Sequence, residues 1–137
     1  MFKLIKILNT GVNVPEIERF PCDPTVSLDA GTCLLYDSSC GMVGPGNESE
    51  PPTHILAKAI NKGDTFALCY RVSPDMIFEA PLIGDPSSLF AGMSVELVVQ
   101  SGRGICAVND VEGGPAMIYS LENAKASGDK VLVTFSY

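Results

Sequence analysis

The chain has 137 residues, of which 46% are hydrophobic and 18% are charged, so it is long enough and apolar enough to bury a core. Nine Lys and Arg stand against sixteen Asp and Glu, which gives a net charge of −7. This balance argues against nucleic acid as a partner, because displacing phosphate counterions needs positive charge, and against docking on anionic membranes. No apolar run approaches the roughly eighteen residues that span a bilayer.

Short apolar runs separated by Gly and Pro predict an all-β chain. The thirteen Gly and ten Pro interrupt the sequence often, and β-branched residues are frequent in several of the runs between them. Helix signals are scarce, and only short turns are expected near residues 86–91 and 121–126. We predict strands at Lys3–Leu8, Thr32–Tyr36, His54–Lys58, Thr65–Val72, Met76–Glu79, Ser94–Gln100, Gly104–Val108, Ala116–Ser120 and Lys130–Ser136.

Two irregular stretches suggest how the chain is organised. Asn9–Pro24 contains Pro15, Pro21 and Pro24 and separates the first strand from the rest. We therefore predict that residues 1–24 form an extended N-terminal arm or linker and that residues 25–137 form a single β-rich domain. Gly41–Pro52 is rich in Gly and Pro, which predicts an exposed loop.

A loose internal repeat predicts that the body is built of two similar halves. Each half is expected to run from a glycine turn through a strand, a hairpin, a strand and a Gly-Asp turn to a last strand. Chance similarity between two β-rich halves is the alternative, and a genuine repeat implies a small β-barrel or sandwich. The matched segments are Gly31–Tyr36 with Gly92–Leu97, Ser39–Val43 with Arg103–Ala107, Pro52–Leu56 with Pro115–Tyr119, and Ala59–Phe66 with Ala124–Val131.

The residues that carry catalysis are mostly missing from the sequence. His54 is the one histidine, and a Cys–His nucleophile pair would require a cysteine beside it, so a structural histidine is favoured. There is no phosphate-binding loop, dinucleotide motif or hydrolase elbow. Asp75 and Glu79 are interpreted as solvated acids rather than as a glycosidase pair. We predict no enzyme activity and no catalytic, cofactor-binding or metal-binding residue.

The cysteines and the N-terminus favour synthesis in the cytoplasm. The odd number of cysteines, their irregular spacing and the lack of a C-x-x-C pair argue against disulfides and structural zinc and favour buried thiols. The first residues lack a long apolar core and a small-residue cleavage site, so they do not resemble a signal peptide. The cysteines are Cys22, Cys33, Cys40, Cys69 and Cys106.

The apolar first segment has two interpretations. Its side chains form either a first core strand or a strand that is added to a partner's sheet or groove. The proline-containing stretch behind the segment suits an arm that reaches away from its own body. We therefore predict five partner-contact residues, namely Phe2, Leu4, Ile5, Ile7 and Leu8.

Several stretches resemble the head decoration proteins of tailed phages, also called capsid cement or auxiliary proteins. Pro52–Ala57, Gly63–Val72 and Asp75–Pro81 match that family's P-T-[HY]-I strand, its Gly-Asp turn with a strand ending in Arg-Val, and its D-[MI]-x-[FY]-E strand. Gly92–Leu97 and Gly128–Phe135 also suit the family. The resemblance covers about residues 30–136, and its motifs are structural strands and turns.

The resemblance implies a structural virion protein that is made in the host cytoplasm and binds the outer surface of the mature capsid. Such a protein clamps neighbouring major capsid subunits near three-fold axes, often as a homotrimer, and needs no cofactor, nucleic acid or membrane. The segment Met1–Asn13 would then contact the shell or a neighbour. The alternatives are another β-rich virion or adhesion module, such as a fibre base or host-surface binder, and a small hydrolase that uses His54.

Overall fold

The computed structural model describes residues 1–8, 16–100 and 103–135, and strands form nearly all of its regular structure. One turn of 3-10 helix at Pro86–Ser88 is the exception within those ranges. The predicted all-β fold is confirmed. The strands are β1 (Lys3–Ile7), β2 (Ile17–Pro21), β3 (Cys33–Asp37), β4 (Met42–Pro45), β5 (His54–Leu56), β6 (Phe66–Arg71), β7 (Met76–Ile83), β8 (Ser94–Val99), β9 (Ile105–Glu112), β10 (Ala116–Ser120) and β11 (Lys130–Thr134).

The second half of the chain closes into a five-stranded barrel, here named the C-barrel. Its sheet has the order β1-β7-β11-β10-β8-β9, and a parallel pairing of Leu82 and Ile83 with β9 joins β7 back to β9. β1 pairs with the first part of β7 and lies outside the closed ring. Alternating side chains from the five strands fill the interior. They include Phe78, Leu97 and Ile118, which are fully buried.

The first half forms a second small barrel, the N-barrel, with the order β2-β6-β5-β3-β4. A parallel bridge between Cys22 and Val43 joins the two edge strands of this sheet. The interior is a separate apolar cluster that contains Leu34, Val43 and Leu56. The chain therefore has two apolar clusters: this one lies within the N-barrel, and the other fills the C-barrel and extends to Cys33 and Ile55 on N-barrel strands.

The two barrels have the same topology, which confirms the predicted similar halves. The order β2-β6-β5-β3-β4 in the N-barrel matches the order β7-β11-β10-β8-β9 in the C-barrel, position by position. Each of the strands β2 to β6 therefore corresponds to the strand five places later in the chain, β7 to β11. Neighbours along each order are antiparallel, and the closing contact is parallel in both. The alignment of the two halves predicted from the sequence is shifted by one residue in its last segment. It matches Phe66 with Val131, but Phe66 is exposed and Val131 is buried, so the buried Ala67 is the residue that corresponds to Val131.

A shared backbone crossing supports the correspondence of the barrels. β4 and β5 flank β3, so the connection between them crosses the start of β3, where the Gly46 N–H donates to the Cys33 carbonyl at 2.9 Å. β9 and β10 flank β8 in the same way, and the Gly113 N–H donates to the Ser94 carbonyl at 3.0 Å. Both connections use glycine where the two backbones meet.

The N-terminal segment packs between the barrels. The Phe2 ring lies 5.4 Å from the Phe135 ring and 6.4 Å from the Phe78 ring, measured between centroids, in the core of the C-barrel. The Phe2 N–H donates to the Gly31 carbonyl at 2.8 Å, and the Gly31 N–H donates to the Leu56 carbonyl at 2.7 Å. Gly31 has φ +84, and a Cβ there would lie 2.6 Å from the Cβ of Met1, so this close approach requires glycine.

The boundary expected at residue 24 has no matching break among the described residues. β1 pairs with β7, and β2 pairs with β6, so both strands of the expected arm are parts of sheets. Residues 9–15 of the expected linker lie outside the described residues. A role for this segment in partner contact stays a prediction.

One expectation about a loop is wrong in its first part. Gly41–Pro52 was expected to be exposed throughout, but it contains β4, which forms a hairpin with β3 and places Val43 in the N-barrel core. The hydrogen bonds of the hairpin and the burial of one side chain outweigh the Gly-rich composition. All nine predicted strands are present: Ala116–Ser120 has the predicted bounds, and the other eight are shifted at one or both ends. Ser136 of the last one lies outside the described residues.

Candidate interaction surface

The structure separates the five N-terminal residues predicted to contact a partner. Phe2 is only 4% exposed and lies in the core, and Leu4 and Ile7 pack against the same cluster. A β-bulge between Leu4 and Lys6 leaves Ile5 exposed, and Leu8 is half-buried. The segment as placed is mainly a core strand, and Ile5 is the one of the five that is well exposed.

A continuous apolar surface lies instead on the outer side of β2 and β6. Directly opposite residues share a side of the sheet, and the pairs Ile17–Tyr70, Arg19–Leu68 and Pro21–Phe66 all point away from the N-barrel interior. Tyr70 is half-buried, because it packs against the cluster that fills the C-barrel. We call these six side chains the β2–β6 face. Within it Ile17 is 51% exposed, Phe66 45% and Leu68 40%.

The β2–β6 face has the composition of a protein-binding surface. Single exposed apolar residues are ordinary, but a contiguous group with an aromatic ring and an arginine is typical of interface centres. The Arg19 guanidinium carbon lies 3.9 Å from the centroid of the Phe66 ring. A shallow hollow beside the face is lined by Lys58, Ile60 and Asp64 together with Phe66 and Leu68. The face is therefore our candidate site for a partner.

Sequence reasoning missed this face because β6 reverses the usual arrangement. In Thr65–Val72 the large residues Phe66 and Leu68 alternate with Ala67 and Cys69, and large apolar residues are normally expected inside. The structure buries Ala67 and Cys69 completely and exposes the large pair. A five-stranded barrel has a narrow interior, which small side chains suit. Alternation of large and small apolar residues was the signal available in the sequence.

His54 is enclosed within the N-barrel and is only 4% exposed. Its ring centroid lies 4.4 Å from that of Phe20 and 6.1 Å from that of Tyr36, and its Nδ1 lies 2.9 Å from the Thr53 hydroxyl. Its Nε2 is buried and has no hydrogen-bond partner among the described residues. This aromatic enclosure favours a neutral structural histidine over a catalytic base.

The environment of His54 predicts a loss of stability in mild acid. Burial lowers its pKa, the Arg71 cation lowers it further, and Glu18 opposes the shift. The unfolded chain keeps a histidine pKa of about 6.5, so below that pH the unfolded state binds more protons than the folded state. The free energy of unfolding should therefore fall as pH drops from about 6.5 through the lower folded-state pKa. Urea unfolding between about pH 7.5 and 5.5 measures this slope.

The control for that slope is His54→Phe, which keeps a ring in the aromatic cluster and removes the titrating group. We expect the variant to lose most of the pH dependence in this range. Parallel profiles for the variant and the unsubstituted chain would show that His54 is not its source.

The cysteines behave as packing residues, with one exception. Four of the five thiols are buried, and Cys40 is exposed. Burial raises the pKa of Cys69 to about 12 and the pKa of Cys33 well above its usual range. Because the thiolate is the reactive form, a disulfide reagent should label one thiol quickly in the native chain, and Cys40→Ser should remove that phase. Rapid labelling of two or more thiols would contradict this arrangement.

The described ranges contain neither a metal-binding cluster nor a membrane-spanning helix. No group of three or more His, Cys, Asp or Glu side chains there is arranged to hold a metal ion. In the same ranges no helix has the length and apolar character needed to cross a bilayer.

Comparisons with known proteins add a likeness of fold. No family model matches the chain, and no curated protein matches it. Among solved structures the chain is similar to the N base of the head fiber protein gp8.5 of bacteriophage phi29, with a TM-score of 0.52 and 16% sequence identity. The match covers 90% of this chain and 95% of that chain. At this identity the likeness shows a shared fold across nearly the whole of both chains.

Proposed function

We propose that the chain is a structural, non-enzymatic protein of a phage head, which binds the outer surface of the mature capsid and clamps neighbouring major capsid subunits. The observation that carries the proposal is the fold shared over 90% of the chain with a phage head fiber base. The sequence resemblance to head decoration proteins indicates the same particle. The β2–β6 face supplies a surface of suitable composition, and we assign the capsid contact to it.

A clamp must be rigid, and the joint between the barrels meets that need. Phe2 packs in the core of the C-barrel, while its backbone N–H donates to Gly31 beside the N-barrel. Two bodies joined by a buried aromatic ring and a backbone hydrogen bond resist relative motion better than two bodies joined by an exposed linker. The C-barrel is therefore expected to move with the N-barrel when the β2–β6 face is bound to the shell.

The stabilising mechanism that we propose is linkage. A ligand that binds the expanded lattice but not its precursor or its dissociated subunits stabilises the expanded state by mass action. Many copies contribute on one shell, so each contact can be modest. Around a lattice three-fold axis the three contact sites are equivalent, and we propose that three copies occupy them as a homotrimer.

The base of a head fibre is the second candidate function, and the likeness to the phi29 head fiber base favours it. A fibre base occupies the shell in order to carry another structure outward, so it has no need to bridge capsid subunits. A decoration protein must bridge them. The two functions therefore predict different effects on shell stability.

Sedimentation with purified capsids tests the proposal and separates the two functions. The purified chain is mixed with expanded, undecorated shells of the major capsid protein encoded in the same genome, and with unexpanded shells as control. We expect saturable binding to the expanded shell alone, with a copy number that is a multiple of three, and a higher temperature of shell disruption. Binding without that rise supports the fibre base, and no binding to either shell contradicts both functions.

A further inference from the structure

The β2–β6 face contains a cation without an acidic partner. Arg71 pairs with Glu18 at 2.7 Å, and Arg103 pairs with Asp29 at 3.0 Å. Arg19 has no carboxylate within ion-pair distance among the described residues. It is the arginine at the middle of the most contiguous exposed apolar surface described above.

The position of Arg19 prepares it for recognition of an anion. Its guanidinium carbon lies 3.9 Å from the centre of the Phe66 ring, and Leu68 lies directly opposite it on the neighbouring strand. A cation held against an aromatic face loses little further freedom on binding, and the N–H groups at its edge remain able to donate. A planar fork of donors matches a carboxylate in two parallel hydrogen bonds.

The same geometry argues against a two-fold contact between copies of this chain on the face. A two-fold contact would bring the β2–β6 face against itself, and therefore one Arg19 towards another. The outward side chains of β2 and β6 include no acid that would compensate: they are Ile17, Arg19, Pro21, Phe66, Leu68 and Tyr70. A partner with apolar side chains and a carboxylate complements the face in both shape and charge.

We propose that Arg19 binds a carboxylate on the major capsid protein. The acidic side chain that carries it is surrounded by apolar residues of the shell, which cover Ile17, Phe66 and Leu68. This inference rests on the proposed function and names the chemistry of its partner site. The apolar contacts supply most of the affinity, and Arg19 selects the position on the lattice at which they form.

Two substitutions of Arg19 test the charge of the partner, with expanded shells as the probe. Arg19→Gln removes the cation and should weaken binding by roughly tenfold, because a buried charge-assisted contact is lost. Arg19→Glu places a carboxylate against the shell's carboxylate and should weaken binding by roughly a further tenfold. Lys125→Glu is the matched control, because it makes the same change in net charge at an exposed position on the C-barrel.

Each outcome decides the inference. Stepwise weakening from Arg19→Gln to Arg19→Glu, with Lys125→Glu close to the unsubstituted chain, supports an acidic partner site. Equal affinities for Arg19→Gln and Arg19→Glu, or full affinity for both, overturn it while the capsid function stands. If the Arg19 substitutions abolish self-association and leave shell binding unchanged, the face binds a second copy of the chain, and the inference is overturned as well. Failure of the unsubstituted chain to bind the shell overturns the inference together with the proposed function.

Discussion

Phe2→Ala should lower the free energy of unfolding by about 3–5 kcal/mol, the usual cost of removing a buried phenylalanine. Phe2 is 4% exposed and lies beside Phe78 and Phe135, so the substitution removes two ring contacts and leaves a cavity. The expected fall in melting temperature is roughly 10–20 °C for a chain of this size. Thermal unfolding followed by circular dichroism measures it.

The matched control for Phe2→Ala is Ile5→Ala on the same strand. Ile5 is exposed at the bulge, so its truncation should change the free energy of unfolding by only about 0.5 kcal/mol. The pair of variants also decides between an arm and a core strand. If Phe2→Ala were as stable as Ile5→Ala, the first strand would not be packed on the body, and the arm predicted from the sequence would be supported instead.

Gly114→Ala should destabilise the fold by about 3 kcal/mol or more, because its Cβ would enter the backbone of a neighbouring strand. A Cβ at Gly114 would lie 2.2 Å from the Cα of Glu96 and 2.2 Å from the carbonyl oxygen of Val95. The connection from β9 to β10 crosses β8 here, and backbone atoms cannot move aside as a flexible side chain can. Equilibrium unfolding in urea measures the loss.

Gly44→Ala is the control for this steric effect. Gly44 lies in β4 and has ordinary strand geometry, and a Cβ there meets no atom within 4 Å. The substitution should be neutral or slightly stabilising, because alanine restricts the unfolded chain more than glycine does. If Gly114→Ala were as stable as Gly44→Ala, the crossing of β8 would be looser than the structure shows.

The sequence was sufficient to predict most strands because their signals are local. Alternation in Val131–Phe135 and β-branched residues in Ser94–Val99 indicate strands whatever their partners. β2 and β4 were missed because prolines surround the first and glycines interrupt the second. Their strand form depends on partners that are distant in the chain, since β2 pairs with β6, and Val43 in β4 fills the N-barrel core. Such non-local pairings leave little trace in local composition.

The candidate site was less predictable than the fold. Apolar residues in an isolated pattern do not reveal which side of a sheet is the interior, and in β6 the larger residues lie outside. The apolar N-terminal segment was open to two interpretations, a core strand or a strand added to a partner. Phe2 lies in a three-ring cluster in the core, and the partner contact of the segment stays a prediction. The interior volume of each barrel decides which side chains are buried, and that volume depends on all five strands.

The central claim, that the β2–β6 face binds the capsid, is tested most directly by two surface substitutions of similar chemistry. Leu68→Ser lies within the face, and Val111→Ser removes a similarly exposed apolar side chain on the C-barrel. Each should keep the melting temperature of the unsubstituted chain, so that a change in binding reports the contact alone. The measurement is the dissociation constant for expanded, undecorated shells by sedimentation. We predict that Leu68→Ser binds at least about tenfold more weakly, while Val111→Ser binds as the unsubstituted chain does. Full affinity and copy number for Leu68→Ser, or an equal loss for Val111→Ser, would contradict the claim.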